Sequence, residues 1–395
     1  MALPPSTQHS NPHMTPKRNK FWWRTIGRAL STLLSRSSYS EERRAEYDSF
    51  FQTSVAPLLG PTPDEYSSSP VSFMCDDHTP VEIGWVFKST GETSVQYAFD
   101  ALSSTDGTPF SPERNLLTLQ SLAIAGQCQG FDMTWTRKCT KSLLWPSKSL
   151  PQDLQRVSQF FIGVDLARAG MGLKAYFIPK VRSQVTLQSS MDILTATIKD
   201  LGMDLPWSKA TSYFSTLPAE YNVEPVLAAV DCVPDAQNRF KVYVRTQATH
   251  LSALCDMLTL GGQLQGPAID ATLAKLRELW CALFGPISDE TSAEHIESNA
   301  GPTGFLFYYE MALGNSLPIP KIYIPAARFL KNDGHVAEVV SQFVGSTYHD
   351  DVERLFPHRK IESRSGIQSH ITLAAKKGAC QISSYLNPEA FSQDS

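Results

Sequence analysis

The sequence predicts an α+β protein in which paired antiparallel strands close into one central β-barrel surrounded by α-helices. Helical windows and β-branched or aromatic strand windows recur in the order helix, strand, strand, helix, at intervals of roughly 60 to 80 residues, as expected for one supersecondary unit used several times. The predicted strands come in adjacent pairs with short or moderate loops, which favours antiparallel hairpins over a parallel sheet. Closing about five hairpins into one barrel leaves no strand edge exposed.

The N-terminal region is predicted to contain a tail and two helical segments. Residues 1–20 are rich in Pro, Ser, Thr, Asn and His and are expected to be disordered, which leaves residues 21–395 as a single domain. Residues 21–34 are amphipathic and basic; a helix packed on the domain is favoured, and a helix at a membrane interface is the alternative. Residues 40–55 have helical periodicity, and the prolines and glycine of residues 57–61 end that helix.

The remaining elements follow from hydrophobic periodicity. Val81–Phe87 and Ser94–Phe99 are β-branched and aromatic runs separated by a short loop that contains Gly91, as in a hairpin. Further strands are predicted at 159–166, 174–179, 226–233, 239–245, 304–312 and 321–325. Further helices are predicted at 113–125, 191–201, 251–258, 269–283 and 336–343.

The composition argues against several functional classes. A formal net charge of −4 gives no global reason to expect nucleic acid or an anionic membrane as a partner. No apolar run approaches the roughly 20 residues needed to cross a bilayer, and the N-terminus lacks the pattern of a secretory signal, so a cytoplasmic location is expected. The seven cysteines are scattered and never spaced as C-x-x-C, and no nucleotide-binding glycine motif or nucleophile elbow occurs. No cofactor is therefore expected.

The most informative pattern is Lys-x-Tyr, which occurs on three predicted strands: Lys174-Ala175-Tyr176, Lys241-Val242-Tyr243 and Lys321-Ile322-Tyr323. Because side chains alternate across a strand, each Lys shares one face with its Tyr, and Arg239 joins that face of the second strand. If these faces point into a closed barrel, ammonium groups, a guanidinium and phenols meet in one water-poor lumen that would attract an anion. The alternative, for any single strand, is that the lysine faces solvent and the apolar positions face the core.

These residue types suit the ionisation of an allylic diphosphate. Lys and Arg stabilise the leaving diphosphate, and tyrosine donates hydrogen bonds to phosphate while its ring face stabilises a nearby cation. The aspartate-rich D-D-x-x-D motif of chain-elongating prenyl synthases is missing, since Asp76-Asp77 and Asp350-Asp351 lack the third acid. A metal site is therefore not predicted, because basic side chains can neutralise the diphosphate instead.

Several sequence blocks together resemble those of the fungal indole prenyltransferases, the dimethylallyltryptophan synthase family. The blocks are Pro80-Val81-Glu82, Gly163–Leu166 with Lys174–Phe177, Val230–Cys232 with Arg239–Tyr243, Leu260-Gly261-Gly262, and Pro320–Pro325. They occur in the order of the family, between residue 40 and the C-terminus. The resemblance implies an ABBA-type prenyltransferase barrel, in which αββα repeats place ten antiparallel strands around a central site for dimethylallyl diphosphate and an aromatic acceptor.

The resemblance also implies roles for individual residues. Glu82 would anchor the acceptor and receive the indole N–H proton, and Lys174 would take part in proton removal after the carbon–carbon bond forms. The diphosphate would be held by Gln96, Lys174, Arg239, Lys241 and Lys321, and the cation shielded by Tyr176, Tyr243, Tyr323 and Tyr385. Met74 is expected to touch the acceptor, with a plain core methionine as the alternative.

The chain departs from the family pattern at several places. Gln96 stands where many members carry an arginine, so it offers hydrogen bonds without charge, while Lys321 stands where some members have glutamine. Gln381 occupies a place where a second tyrosine is common. Family members that act on free tryptophan hold its carboxylate with an arginine ahead of the Arg-x-Lys-x-Tyr strand. The matching segment of this chain, residues 225–230, contains no basic residue. A cyclic dipeptide or an indole diterpene is therefore favoured over free tryptophan.

The predicted function is metal-independent transfer of a dimethylallyl group to an indole carbon by electrophilic aromatic substitution, in fungal alkaloid biosynthesis. The expected partners are dimethylallyl diphosphate and an indole-containing small molecule, without nucleic acid or membrane, and the sequence is compatible with a homodimer. Two alternatives are a prenyltransferase acting on a phenol or xanthone, and a non-catalytic barrel that binds an aromatic metabolite. The combination of Glu82 with three Lys-x-Tyr strands argues against the second alternative, because a binding protein needs neither a base nor a cation shield.

Overall fold

The computed structural model describes residues 15–66, 71–286, 288–293, 304–345, 347–376 and 378–392. Ten antiparallel strands form a closed barrel in which each strand pairs with its neighbours in the chain and the last strand pairs with the first. The predicted fold class is therefore confirmed. The strands are β1 (Val81–Phe87), β2 (Thr93–Phe99), β3 (Phe160–Ala167), β4 (Gly170–Phe177), β5 (Glu224–Asp231), β6 (Phe240–Thr246), β7 (Phe305–Met311), β8 (Ile319–Ile324), β9 (Gln368–Lys376) and β10 (Ala379–Leu386).

Helices surround the outside of this barrel. They are α1 (Pro16–Trp22), α2 (Arg28–Arg36), α3 (Glu41–Phe50), α4 (Pro112–Ala125), α5 (Thr134–Leu143), α6 (Lys180–Thr186), α7 (Ser190–Asp200), α8 (Asp204–Phe214), α9 (Leu251–Thr259), α10 (Pro267–Phe284), α11 (Ala326–Phe329), α12 (Asp333–Val344) and α13 (Tyr348–Leu355). Short π-helical turns follow α1 and α3 at Trp23–Gly27 and Phe51–Val55. None of the described helices is long and apolar enough to span a membrane.

The strand residues divide between two apolar regions because their side chains alternate. Val242 and Ile322 are fully buried in the large outer core, where the outward faces of the strands meet the helices. Tyr243 and Tyr323 belong instead to a second buried cluster inside the barrel. The predicted inward orientation of the Lys-x-Tyr faces is thus correct, and the solvent-facing alternative is wrong.

The N-terminal helix begins earlier than predicted. Helix α1 starts at Pro16, where the Thr15 side chain accepts a hydrogen bond from the backbone N–H of Arg18. Arg18 also forms an ion pair with Glu65 at 2.7 Å, and Trp22 is fully buried. Residues 16–20 are therefore helical rather than part of a tail, because capping and ion pairs compensate for their polar composition. The rest of the predicted tail, residues 1–14, lies outside the described residues.

The apolar face of residues 21–34 packs on the domain. Ile26, Leu30, Leu33 and Leu34 are buried in the outer core beside the strands. This packing confirms the favoured interpretation of a helix on the surface of the domain, since the residues that a membrane interface would receive are already covered by protein.

The other predicted elements are present with ends that shift by a few residues. Strand β4 begins at Gly170 rather than at Lys174, because it extends back along its partner β3 as far as the turn. The elements that periodicity did not predict are helices α5, α6, α8, α11 and α13 and strands β9 and β10. Strand β9 pairs with β8, and β10 closes the barrel on β1.

Candidate active site

Aromatic rings line the middle of the barrel lumen. Phe161 stacks on Tyr176 with ring centroids 4.3 Å apart and an interplanar angle of 10°. The neighbouring rings lie 5.4 to 6.2 Å from one another, centroid to centroid, and belong to Tyr176, Tyr243, Tyr308, Tyr323 and Tyr385. Burial raises the pKa of each of these phenols above its ordinary value. The phenols therefore stay neutral at physiological pH and can donate hydrogen bonds.

One ammonium group lies inside this aromatic ring of residues. The Nζ atom of Lys321 lies 4.6 Å from the ring centroid of Tyr323, 5.0 Å from that of Tyr385 and 5.7 Å from that of Tyr308. It donates a hydrogen bond of 3.1 Å to the Tyr385 hydroxyl. These contacts are cation–π geometry, so the cage is already arranged to stabilise a positive charge.

A cluster of opposite charges adjoins the rings at one end of the lumen. The ion pairs are Lys174–Asp165 at 2.6 Å, Arg239–Asp231 at 2.6 Å, Lys241–Asp231 at 3.1 Å, Arg239–Glu310 at 3.2 Å and Lys376–Glu310 at 2.9 Å. With Lys321, the cluster contains five basic groups and three carboxylates, an excess of two formal positive charges. Within the described ranges, no group of three His, Cys, Asp or Glu side chains could hold a metal ion.

The surroundings of each charged group set its protonation. Burial opposes the ionisation of Asp231, but Lys241, Lys174 and Arg239 outweigh it and hold the pKa of Asp231 well below its usual range. Burial also opposes the charge of Lys174, yet Asp165 and other nearby groups keep its pKa above the ordinary value. Burial and neighbouring lysines lower the pKa of Lys321 well below its usual range. Lys174 therefore stays protonated, whereas the proton of Lys321 is weakly held.

Two glycines leave room for the polar side chains of the lumen. Gly84 lies between Gln96 on β2 and Tyr385 on β10 in the strand register, and a Cβ atom at this position would lie 2.8 Å from Cγ of Gln96. The space lets Gln96 donate a hydrogen bond of 3.0 Å from Nε2 to the Tyr385 hydroxyl. A Cβ atom at Gly163 would likewise lie 2.8 Å from the Tyr176 ring. Both positions therefore need a residue without a side chain.

Glu82 lies on the lumen face of β1, away from the basic cluster. Its Oε1 accepts a hydrogen bond of 2.6 Å from the Ser369 hydroxyl, and Nδ1 of His370 lies 3.8 Å from the same oxygen. The Glu82 side chain is 17% exposed. A carboxylate in this position can accept a hydrogen bond from an N–H or O–H of a bound acceptor while His370 offers a second group for the proton.

The loop 71–79 covers this end of the lumen and contains Met74. Met74 packs against the aromatic cluster, and Phe73 lies 6.2 Å from Phe161, ring centroid to ring centroid. The loop is attached to the end of β2 because the Ser72 hydroxyl donates a hydrogen bond of 3.3 Å to the buried carboxyl group of Asp100. Burial raises the pKa of Asp100 to about 7. Met74 thus lies against the aromatic lining of the lumen.

Comparison with known sequences identifies the family. The family model described as tryptophan dimethylallyltransferase matches residues 18–357. The chain belongs to this family. It is a prenyltransferase, as the Lys-x-Tyr strands and the resemblance predicted, and the alternative of a non-catalytic barrel is set aside.

Individual relatives support the same assignment. The 4-O-dimethylallyl-L-tyrosine synthase of Claviceps purpurea is 32% identical and is matched over 94% of this chain and 88% of its own length. The 7-dimethylallyltryptophan synthase of Aspergillus fumigatus is 26% identical over 90% of this chain and 82% of its own. The crystal structure of AnaPT from Neosartorya fischeri has the same fold, with a TM-score of 0.80, 18% identity and 95% of each chain covered. The two sequence relatives are thus named for the transfer of a dimethylallyl group, and AnaPT shares the fold of this chain.

The prenyltransferase brings the predicted site residues together in one lumen. On the inner faces of the strands lie Glu82, Gln96, Lys174, Tyr176, Lys241, Tyr243, Lys321, Tyr323 and Tyr385. Arg239 directly precedes β6 and pairs with Asp231 of the neighbouring strand. Met74 lies in the loop 71–79 and packs against the aromatic cluster.

Sequence reasoning missed several lumen residues: Asp165, Asp231, Tyr308, Glu310, His370 and Lys376. The first four lie on strands that the sequence predicted, and pairing with the inward residues of the neighbouring strands would have found them. Asp231, for example, is directly opposite Lys174 in the register. His370 and Lys376 lie on β9, which no periodicity signal identified, so nothing in the sequence indicated that they face the lumen.

Proposed function

We propose that this prenyltransferase transfers a dimethylallyl group from dimethylallyl diphosphate to an aromatic acceptor, without a metal ion. The observation that carries the proposal is the ammonium group of Lys321, which lies within a cage of three tyrosine rings next to the basic cluster. An allylic cation and a leaving diphosphate need these two environments side by side.

In the proposed reaction, the bond between the allylic carbon and the diphosphate oxygen breaks and the diphosphate leaves with the electron pair. Lys174, Arg239, Lys241, Lys321 and Lys376 would stabilise the charge on the diphosphate, and Gln96 would donate a hydrogen bond. The tyrosine rings would exclude water and stabilise the dimethylallyl cation. The acceptor then forms a bond to the cation and loses one proton. Because its pKa is raised, Lys174 is better suited to binding diphosphate than to the proton removal predicted for it.

The first candidate acceptor is an indole. Its N–H would donate a hydrogen bond to Glu82, which draws electron density toward the ring carbon that attacks the cation. The carbon then loses its hydrogen as a proton to an oxygen of the released diphosphate, and aromaticity is restored. The aromatic lumen between Glu82 and Lys321 supports this choice, because an indole ring can stack among the tyrosines.

A phenol is the second candidate, and one observation favours it. The relative with 32% identity is named for the transfer of a dimethylallyl group to the 4-oxygen of tyrosine. A phenolic O–H would donate to Glu82 and give up its proton to this carboxylate as the oxygen attacks the cation. Nδ1 of His370 lies 3.8 Å from Oε1 of Glu82 and would offer a second group for this proton.

One assay separates these candidates. The purified protein would be incubated with dimethylallyl diphosphate and with L-tyrosine, L-tryptophan or a tryptophan-containing cyclic dipeptide, in EDTA and in Mg²⁺, and the products analysed by mass spectrometry. We expect addition of one prenyl unit in EDTA. The variant Lys199→Met, which alters an exposed lysine on α7, serves as control. Lack of product with all acceptors, or product only with Mg²⁺, would contradict the proposal.

A further inference from the structure

Strand β9 contains one extra residue where it runs beside the end of β10. The register pairs His370 with Tyr385 and Gln368 with Leu386, so Ser369 has no partner on β10. This arrangement is a β-bulge, in which two residues of one strand lie opposite one residue of its neighbour. A bulge interrupts the alternation of side chains and re-aims those next to it. The side chains around Ser369 therefore do not follow the pattern of the rest of β9.

The bulge turns two successive side chains toward the lumen. Farther along β9, Ile371 and Leu373 lie in the outer core, and unbroken alternation would place Ser369 on the same outer face. Instead, the Ser369 hydroxyl donates a hydrogen bond of 2.6 Å to Oε1 of Glu82 inside the barrel. The next residue, His370, also faces inward, with Nδ1 3.8 Å from the same oxygen. Ser369 thus reaches Glu82 across the end of β10 because β9 contains the extra residue.

Buried contacts on the outside of the barrel fix the position of the bulge. Gln368 is fully buried, and its backbone N–H donates a hydrogen bond of 2.8 Å to Oδ1 of Asp333. Its side-chain amide donates to the Asp333 carbonyl at 2.7 Å and accepts from the Tyr348 hydroxyl at 2.9 Å. Asp333 is itself held by an ion pair of 2.6 Å with Arg359. A shift of β9 by one residue would break these bonds in a buried site, so the register at Ser369 is strongly specified.

The contact with Ser369 makes the two oxygens of Glu82 different. A hydroxyl has one proton, and the carboxylate at 2.6 Å is a stronger acceptor for it than the Tyr385 carbonyl at 3.2 Å. Among the described residues, no group donates a hydrogen bond to the second oxygen, Oε2, which is not fully buried. Glu82 thus presents one oxygen to the protein and one to a molecule bound in the lumen.

We infer that Ser369 is a positioning residue that determines which atom of the acceptor is prenylated. The inference rests on the proposed prenyl transfer, in which Glu82 accepts a hydrogen bond from an N–H or O–H of the acceptor. With Oε1 held by Ser369, the acceptor meets Oε2 in one direction, and one of its atoms faces the place where the dimethylallyl cation forms. Without the Ser369 hydroxyl, the carboxylate can rotate about its side-chain bonds, so the acceptor binds in several orientations.

Kinetic measurements on a set of variants test this inference. With whichever acceptor of the assay above gives product, Ser369→Ala should lower kcat about 10- to 100-fold, because a hydrogen bond to a charged group is lost. The KM for dimethylallyl diphosphate and the melting temperature should not change. Ser369→Thr keeps the hydroxyl and should retain most of the activity, and Ser121→Ala, on the exposed face of α4, should equal wild type. In Glu82→Ala, which lacks the carboxylate, the further change Ser369→Ala should alter kcat by less than about twofold.

Products and crystal structures give readouts that a merely structural role would not move. In Ser369→Ala, the share of minor prenylated isomers should rise by a factor comparable to the fall in kcat. The release of dimethylallyl alcohol, which forms when water rather than the acceptor captures the cation, should rise with it. Liquid chromatography with mass spectrometry and NMR measures both products. In crystals of Ser369→Ala, the Glu82 carboxylate should occupy a different or additional rotamer, whereas wild type and Ser369→Thr should show one.

The outcomes separate this inference from the proposed function. A Ser369→Ala variant with kcat within about twofold of wild type, an equal loss in the Glu82→Ala background, or a Glu82 carboxylate that keeps its wild-type orientation would each overturn the inference. A wild-type protein that forms no product with any acceptor would refute the transfer reaction and, with it, the determination of the prenylated atom. A displaced carboxylate in crystals of Ser369→Ala would then still support Ser369 as the residue that orients Glu82.

Discussion

Replacement of Lys321 by methionine should weaken catalysis and leave the fold as stable as before or more stable. The Lys321 side chain is 5% exposed, and among the described residues no carboxylate lies within ion-pair distance of it. Methionine is unbranched and flexible, so it can fill the same space among the tyrosine rings. The substitution therefore removes a buried charge without opening a large cavity.

The expected magnitudes follow from this position. Removing a poorly compensated buried ammonium should leave the free energy of unfolding at neutral pH unchanged or raise it by up to about 3 kcal/mol, even after loss of the hydrogen bond to Tyr385. For the donor, one positive charge about 4 Å from a diphosphate oxygen contributes ~4 kcal/mol at an effective dielectric constant of 20. The four remaining basic groups offset part of this loss, so kcat/KM for dimethylallyl diphosphate should fall about 10²- to 10³-fold.

The pH dependence gives a second, independent measure. Because the folded protein lowers the pKa of Lys321, the unfolded chain binds its proton more tightly, and stability should rise with pH through the interval between the lowered and the ordinary pKa of lysine. Urea unfolding of the wild type as a function of pH should show this rise, and Lys321→Met should lack it. Lys321→Gln should fall between wild type and Lys321→Met in donor kinetics, and Lys199→Met is the control. Unchanged donor kinetics, or a strongly destabilised Lys321→Met, would refute the reasoning.

Three further substitutions probe other parts of the barrel. Glu82→Gln should lower kcat about 10²- to 10³-fold at an unchanged melting temperature, because the amide keeps the contact with Ser369 but cannot take a proton. Steady-state kinetics and calorimetry check these two expectations, and near-normal turnover would exclude Glu82 as the base. Tyr308→Leu should lower kcat about 10-fold and Tyr308→Phe much less, because the Tyr308 ring, which lies 5.7 Å from Nζ of Lys321, would stabilise the dimethylallyl cation through its face rather than its hydroxyl; equal losses in single-turnover experiments would contradict this. Glu389→Gln should lower the free energy of unfolding by about 3 kcal/mol at pH 7, because the nearly buried Glu389 carboxylate pairs with Arg359 and Arg364. The partners of Glu389 outweigh burial and lower its pKa to about 2. The free-energy difference between Glu389→Gln and wild type, measured by urea unfolding, should therefore shrink as the pH falls from about 4.5 toward 2. A difference that stays constant over this interval would refute the argument.

The inner faces of the strands could be predicted because alternation is a local property. Once Lys241 and Tyr243 are assigned to one face of β6, Val242 must occupy the other, and the structure places it among the helices. The repetition of Lys-x-Tyr then indicated that several such faces shared a function. Pairings within a hairpin, such as Asp165 with Lys174, are separated by nine residues and were accessible to the same reasoning.

The remaining contacts depend on how the barrel closes, which local patterns do not determine. Gln96 and Tyr385 are 289 residues apart and meet only because β10 pairs with β1, which in turn pairs with β2. Strand β9 begins with the polar sequence Gln368-Ser369-His370, in which Gln368 bonds to the buried Asp333 outside the barrel while Ser369 bonds to Glu82 inside it. The beginning of β9 is therefore polar on both faces, and only the short apolar stretch around Ile371 and Leu373 packs in the outer core, which is too short a pattern to identify the strand.

The carboxylates of the basic cluster explain how the proposed diphosphate site can exist before the diphosphate arrives. Five buried or half-buried cations without counterions would repel one another, and Asp231, whose pKa is held low, remains charged and compensates Arg239 and Lys241. The donor must compete with these carboxylates for the cations that they hold. Among the described residues no carboxylate pairs with Lys321, so in the proposed complex the diphosphate itself would compensate the charge of Lys321. Since Lys321 also contacts the tyrosine rings, in the proposed reaction the same side chain would link recognition of the diphosphate to stabilisation of the dimethylallyl cation.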